Sequence, residues 1–147
     1  MKTINTILFL ALSGIWMAGC NSSHDHGAEN DTQGSLHLTL DNDKKWTANQ
    51  ETQVGFEKIR DRLKSFTTQK ESTLSDYNNL GKELQIMIDN VVQQCTMKGQ
   101  SHEELHKLLV PVIGNIKDLK GDDLGSCQDA VEELKLLAAT YFEFFKV

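Results

Sequence analysis

The chain has 147 residues, with 15 basic and 21 acidic side chains, which leaves room for one modest hydrophobic core and argues against a second domain. A net charge of −6 with no Lys/Arg run to offset it repels phosphate backbones and excludes nucleic acid as a partner. A single proline and the lack of alternating β-type runs in the second two-thirds of the chain predict an all-α domain.

Met1-Lys2 followed by an apolar run from Ile7 to Ala18 predicts a signal peptide over residues 1–19. The run of about 12 residues is too short to cross ~30 Å of hydrocarbon but suits the apolar region of an export signal. It ends in Met17-Ala18-Gly19-Cys20, which resembles the lipobox of bacterial lipoproteins. That resemblance implies cleavage before Cys20, lipidation of its thiol, and a membrane anchor of more than one acyl chain, enough for stable attachment. By the sorting rules of such lipoproteins Asp after the cysteine retains the protein in the inner membrane; Asn21 stands there instead, so the outer membrane is expected, with the domain facing either the periplasm or the exterior. Loss of Lys2 with the signal would take the net charge from −6 to −7.

Residues 20–35 contain almost no apolar side chains and are expected to form a flexible tether, since they cannot bury enough surface to offset chain entropy. His24 and His26 within it could catch Zn or Cu weakly, against the plainer reading of a solvated linker. Residues 36–48 are expected to be an extended N-terminal segment: Leu36, Leu38 and Leu40 alternate, a turn-like Asp41-Asn42-Asp43-Lys44-Lys45 follows, and Trp46 is placed as a packing plug.

Four amphipathic helices are read over residues 49–147. Thr47 to Gln50 has capping-box spacing, and Phe56, Ile59, Leu63 and Phe66 predict helix 1 over about 49–70. Thr73 to Asp76 can cap helix 2, whose stripe is Tyr77, Leu80, Leu84, Ile88, Val91 and Cys95, with Gly99 as its stop. Ser101 to Glu104 is a further capping box, opening helix 3 with Leu105, Leu109, Val112, Ile113 and Ile116 inward and Gly121 as its stop. Ser126 is read as the cap of helix 4, whose face carries Cys127, Ala130, Val131, Leu134, Leu137, Ala138, Tyr141 and Phe145. Short connections make an up-down-up-down four-helix bundle the simplest packing. It would put Cys95 and Cys127 at opposite ends, beyond the ~7 Å Cα limit for a disulfide.

The hairpin from Cys95 to His106 concentrates a thiol, the Met97 thioether and two imidazoles. His102 and His106 are spaced i, i+4 and share one side of helix 3; they align with Leu109 and Ile113, which predicts at least half-burial. Cys95, His102 and His106 offer a ligand set of the kind Zn or Cu selects, and Met97 would favour Cu(I) through its soft sulfur. Met97 would point away were helix 2 to continue, and only a turn before Gly99 brings it back. Pro111 should kink helix 3 just past His106. The same residues also read as a small core cysteine with histidines kept for solubility and local hydrogen bonding.

Non-covalent haem is a further alternative. Covalent c-type attachment is excluded by the missing Cys-x-x-Cys-His, and although the outline is similar to soluble b-type cytochromes, helices 1 and 4 supply no Met or His as axial ligands. No orienting third group, oxyanion loop or phosphate cradle accompanies the Cys/His pair, so an enzyme is not predicted. Residues 38–111, through Leu40 to Trp46, Cys95 to Gly99 and His102 with His106, resemble small helical lipoproteins of the Bacteroidota, a resemblance that implies no established activity. The expected function is therefore a membrane-anchored binding module, with a transition metal at Cys95, His102, His106 and Met97, or alternatively a structural lipoprotein that docks an envelope protein.

Overall fold

The computed structural model describes residues 36–67 and 71–147; the signal peptide, the Cys20 anchor and the 20–35 tether expected above lie outside the described residues. Six elements follow in order: β1 (Trp46–Thr47), α1 (Gln50–Thr67), α2 (Leu74–Gln94), α3 (Gln100–Asp118), α4 (Leu124–Phe144) and β2 (Phe145–Lys146). Each helix packs on its sequence neighbours, and α1 closes the ring against α4, which is the up-down-up-down bundle that four apolar stripes and short connections require. Among the described residues no helix is long and apolar enough to cross a membrane.

The core is the sum of the helical stripes. Phe56, Ile59, Leu63 and Phe66 of α1, Leu80, Leu84, Ile88 and Val91 of α2, Leu105, Leu108, Val112 and Ile116 of α3, and Leu134, Leu137 and Tyr141 of α4 are all buried. Leu108, unassigned by the stripe read from sequence, lies in the core, whereas Ile113, assigned to it, is 41% exposed. The face of α3 is thus turned toward Leu108 and Leu105, which leaves Ile113 at its rim.

The helix ends settle on residues other than several of the predicted caps. Thr73 and Asp76 form the expected capping box of α2, with the Thr73 side chain bonded to the Asp76 amide and the Asp76 carboxylate to the Thr73 amide. Thr47 is drawn into β1, and α1 opens instead beside Asn49, whose carbonyl accepts from Gln53 N. The start of α3 falls at Gly99 with no side-chain cap; Ser101 lies inside the first turn, its Oγ donating to Lys98 O, and the Glu104 carboxylate binds Thr39 instead. Asp123, not Ser126, caps α4, its side chain accepting from the Ser126 amide. Helix α2 stops at Gln94, short of Gly99, and α3 stops at Asp118, short of Gly121.

One end of the bundle is closed by the two chain ends of the domain. β1 and β2 pair in parallel, Trp46 opposite Phe145 and Thr47 opposite Lys146, and Ala48 N donates to Lys146 O. Trp46 is buried there as the expected plug, its Nε1 donating to Thr39 O at 2.6 Å. Leu36 and Leu38 pack against the core, while Leu40 stays exposed. Asn49 ties α1 to the end of α2 by donating from Nδ2 to Gln94 O and accepting at Oδ1 from Thr96 N. At the opposite end Asn78 Nδ2 donates to Gly121 O.

Candidate functional site

The end that holds β1 and β2 also holds the α2–α3 hairpin. Helix α2 ends at Gln94, and Cys95 is its C-cap in an extended conformation, so the chain leaves the helix five residues before α3. That early exit, rather than a continued helix, lets Met97 return to the core, where it packs half-buried. Gly99 then turns into α3 with φ +64° and ψ −146°, a conformation that side chains with a Cβ avoid. Its carbonyl accepts from the amides of His102 and Glu103.

This geometry sets Cys95 Sγ 3.7 Å from His102 Nδ1. The His102 and His106 rings meet edge to face with centroids 4.3 Å apart, as i, i+4 spacing on one helix dictates. Cys95 and His102 are half-buried; His106 is exposed, which corrects the expectation that both rings would be at least half covered. The structure therefore joins Cys95 to His102 and His102 to His106. Among the described residues no group of three or more His, Cys, Asp or Glu side chains is arranged to hold a metal ion, so the three donors form a chain rather than a closed cage.

The two free thiols differ in kind. Cys127 is fully buried, and its Sγ donates to the carbonyls of Asp118 and Leu119 at 3.5 and 3.7 Å. Burial pushes its ionisation up, and Asp123, Asp118 and Asp122 push it further, so it closes the C-terminal turn of α3 as a neutral thiol. Cys95 is the accessible sulfur of the pair and the one with a nitrogen partner.

Two polar groups of this end were not recognisable as special from sequence. Glu104, read as a cap, is only 3% exposed and accepts from Thr39 N and Thr39 Oγ1, both at 3.0 Å, and from Lys107 Nζ at 2.7 Å. Burial pushes its carboxyl up, and the bonds from Lys107 and Thr39 outweigh that and hold it below its ordinary value. Tyr141, read as core, lies between Phe56 and Phe145, stacked at centroid distances of 4.0 and 5.2 Å, and its hydroxyl is buried with no hydrogen-bond partner. Burial, and after it the charges of Glu57 and Cys95, push its ionisation far up, so it stays a donor in search of an acceptor. Leaving such a hydroxyl unsatisfied costs about 1–3 kcal/mol. The only sequence signal for it was its register on the buried face beside Phe145.

Comparison with known proteins adds no relative: no family model, no curated protein and no solved structure matches this chain.

Proposed function

We propose that the chain is a lipid-anchored protein of the bacterial cell envelope whose helical bundle binds a transition-metal ion, Zn(II) or Cu(I), at the α2–α3 hairpin through Cys95, His102 and His106, with Met97 as the soft donor in reserve. The observation that carries the metal reading is the 3.7 Å separation of Cys95 Sγ and His102 Nδ1. In a tetrahedral site with a metal–sulfur bond of about 2.3 Å and a metal–nitrogen bond of about 2.0–2.1 Å, the two donor atoms stand about 3.6 Å apart. One edge of such a site is therefore already at its working length. His106 meets His102 edge to face, and exposed rings swing among rotamers on the ps–ns timescale, so the third donor joins by side-chain rotation without a backbone change.

The anchor reading rests on Met17-Ala18-Gly19-Cys20, and the outer-membrane assignment on Asn21. The bundle would then hang from the lipid on residues 20–35, reaching at most about 50 Å. A net charge of −6 attracts cations to its surface and suits a metal better than an anionic ligand.

Metal content of the full chain, purified without a His tag, tests the site beside a His102→Ala/His106→Ala double variant. Near-stoichiometric Zn or Cu in the parent and its loss in the variant support the reading. Equal, substoichiometric metal in both overturns it and favours a bundle that docks an envelope protein. Incorporation of a labelled fatty acid, abolished by Cys20→Ala, tests the anchor separately.

A further inference from the structure

The outward face of α3 carries a pattern that the bundle does not use. Glu103, His106, Val110, Ile113 and Lys117 follow one another at steps of three, four, three and four residues, the spacing of a seam that meets another helix. The core of the bundle takes a different set, Leu105, Leu108, Val112 and Ile116, and all five seam residues are exposed. Val110, at the middle, is 70% exposed. One exposed apolar side chain is ordinary; the order along this seam is not. An acid stands at one end and a base at the other, with the two aliphatic side chains between them. Among the described residues neither Glu103 nor Lys117 has an ion-pair partner. Gly114 lies mid-helix on the same face, where glycine disfavours the helix, yet a Cβ there would meet nothing within 4 Å, so no packing within the chain calls for a glycine.

Such a seam is complementary to itself when turned end for end. Glu103 and Lys117 each stand seven residues from Val110, about 10 Å along the helix axis. In an antiparallel pair of α3 helices with a two-fold axis at Val110, Val110 faces its own symmetry copy, Ile113 falls level with the partner's His106, and Glu103 meets the partner's Lys117, twice by symmetry. A parallel pair would set each Glu103 against the partner's Glu103 and each Lys117 against the partner's Lys117, so the charges select the antiparallel one. Gly114 lets the two backbones approach closely. We propose that the chain forms a two-fold homodimer through the exposed seam of α3, a second copy being the occupant of this face. A seam one helix wide is smaller than a permanent interface, so the dimer is a dissociable one. It stands apart from the metal reading.

The experiment is sedimentation equilibrium of the full chain from about 1 µM to 1 mM, with EDTA present so that no metal ion can bridge two copies. The parent is compared with Glu103→Lys, with Lys117→Glu and with the double variant Glu103→Lys/Lys117→Glu. Both positions are exposed, so all four proteins are expected to keep the helical circular dichroism of the parent. The parent is expected to pass from monomer to dimer over this range. Each single variant sets like charges together at both ends of the seam and should weaken association about tenfold, and the double variant, which exchanges the two signs, should restore it. A parent that stays monomeric throughout overturns the inference, whatever else covers the face. Association that neither single variant weakens also overturns it, and places the contact elsewhere, as in the apolar run from Ile7 to Ala18. Weakening in the single variants without rescue in the double variant overturns the antiparallel pairing.

Discussion

Replacing Glu104 by Ala should free the N-terminal arm from the bundle, and its cost can be worked from the contacts. The carboxylate takes two hydrogen bonds from Thr39, each to a charged acceptor and each worth about 1.5–3 kcal/mol when formed inside a protein. Thr39 is only half-buried, so water can rescue its donors once the arm lifts, and the low end of that range applies. Lys107 is 46% exposed, which limits its ion pair to at most about 0.5 kcal/mol. The expected loss is about 3–3.5 kcal/mol, which lowers the melting temperature of a domain this size by about 12 °C. Glu104→Gln, which keeps one acceptor, should lose about half as much.

Thermal and urea unfolding followed by circular dichroism measure the loss, and amide exchange at Thr39 with Trp46 fluorescence reports whether the arm leaves first, since Trp46 Nε1 hangs from the Thr39 carbonyl. The pH dependence follows from the same carboxyl, which the bonds hold below 4.5 against the upward push of burial. Its contribution is complete above that value and disappears as pH falls through the depressed one. The stability gap between the parent and Glu104→Ala should therefore be flat from neutrality to about pH 4.5 and close below it. A loss under about 0.5 kcal/mol, the level of an ordinary surface substitution, or a gap that persists unchanged into strong acid, would refute the reasoning.

Three further outcomes are expected. Asn49→Ala removes the acceptor of Thr52 Oγ1 and Thr96 N and the donor to Gln94 O, and should lower stability by about 1–2 kcal/mol in chemical denaturation. Gly55→Ala gains about 1 kcal/mol of helix propensity but drives its Cβ into Val91 Cγ2; overpacking at about 1–3 kcal/mol should win, and adding Val91→Ala should reverse the sign. Asp123 is held below its usual carboxyl value by its bonds from Ser126, so the protection of amides in the first turn of α4, relative to their intrinsic exchange rates, should fall as pH drops below 3.8, and an Asp123→Ala variant should lack that pH response.

What could be read from the chain and what could not divide by the range of the interaction responsible. Faces follow from a 3.6-residue period that every residue of a helix reports, so Leu80, Leu84, Ile88 and Val91 fall inward as their spacing requires. Caps are decided by competition over short distances, and the competitor is often remote. Thr47 lost its capping role to β2, which arrives almost a hundred residues later and pairs with it, and the Glu104 carboxylate faces Thr39, 65 residues away, rather than the α3 terminus. Neither partner is marked in sequence, because a two-residue strand and a single threonine carry no periodicity.

The candidate site shows the same division and explains why its spacing was legible while its closure was not. The i, i+4 pair His102 and His106 could only be neighbours, and so they are. The contact of Cys95 with His102 depends on where α2 stops. With Asn49 binding both the Gln94 carbonyl and the Thr96 amide, the helix is ended from outside, by a residue of α1's own threshold, and Gly99 is left free to make the turn rather than the stop. That one substitution of terminators returns Met97 to the core and brings a sulfur to within 3.7 Å of an imidazole nitrogen. Asn49 thus holds the hairpin's backbone at Thr96 without touching any of its donor side chains: Asn49→Ala should lengthen α2 toward Gly99 and separate Cys95 from His102 even where the bundle stays folded.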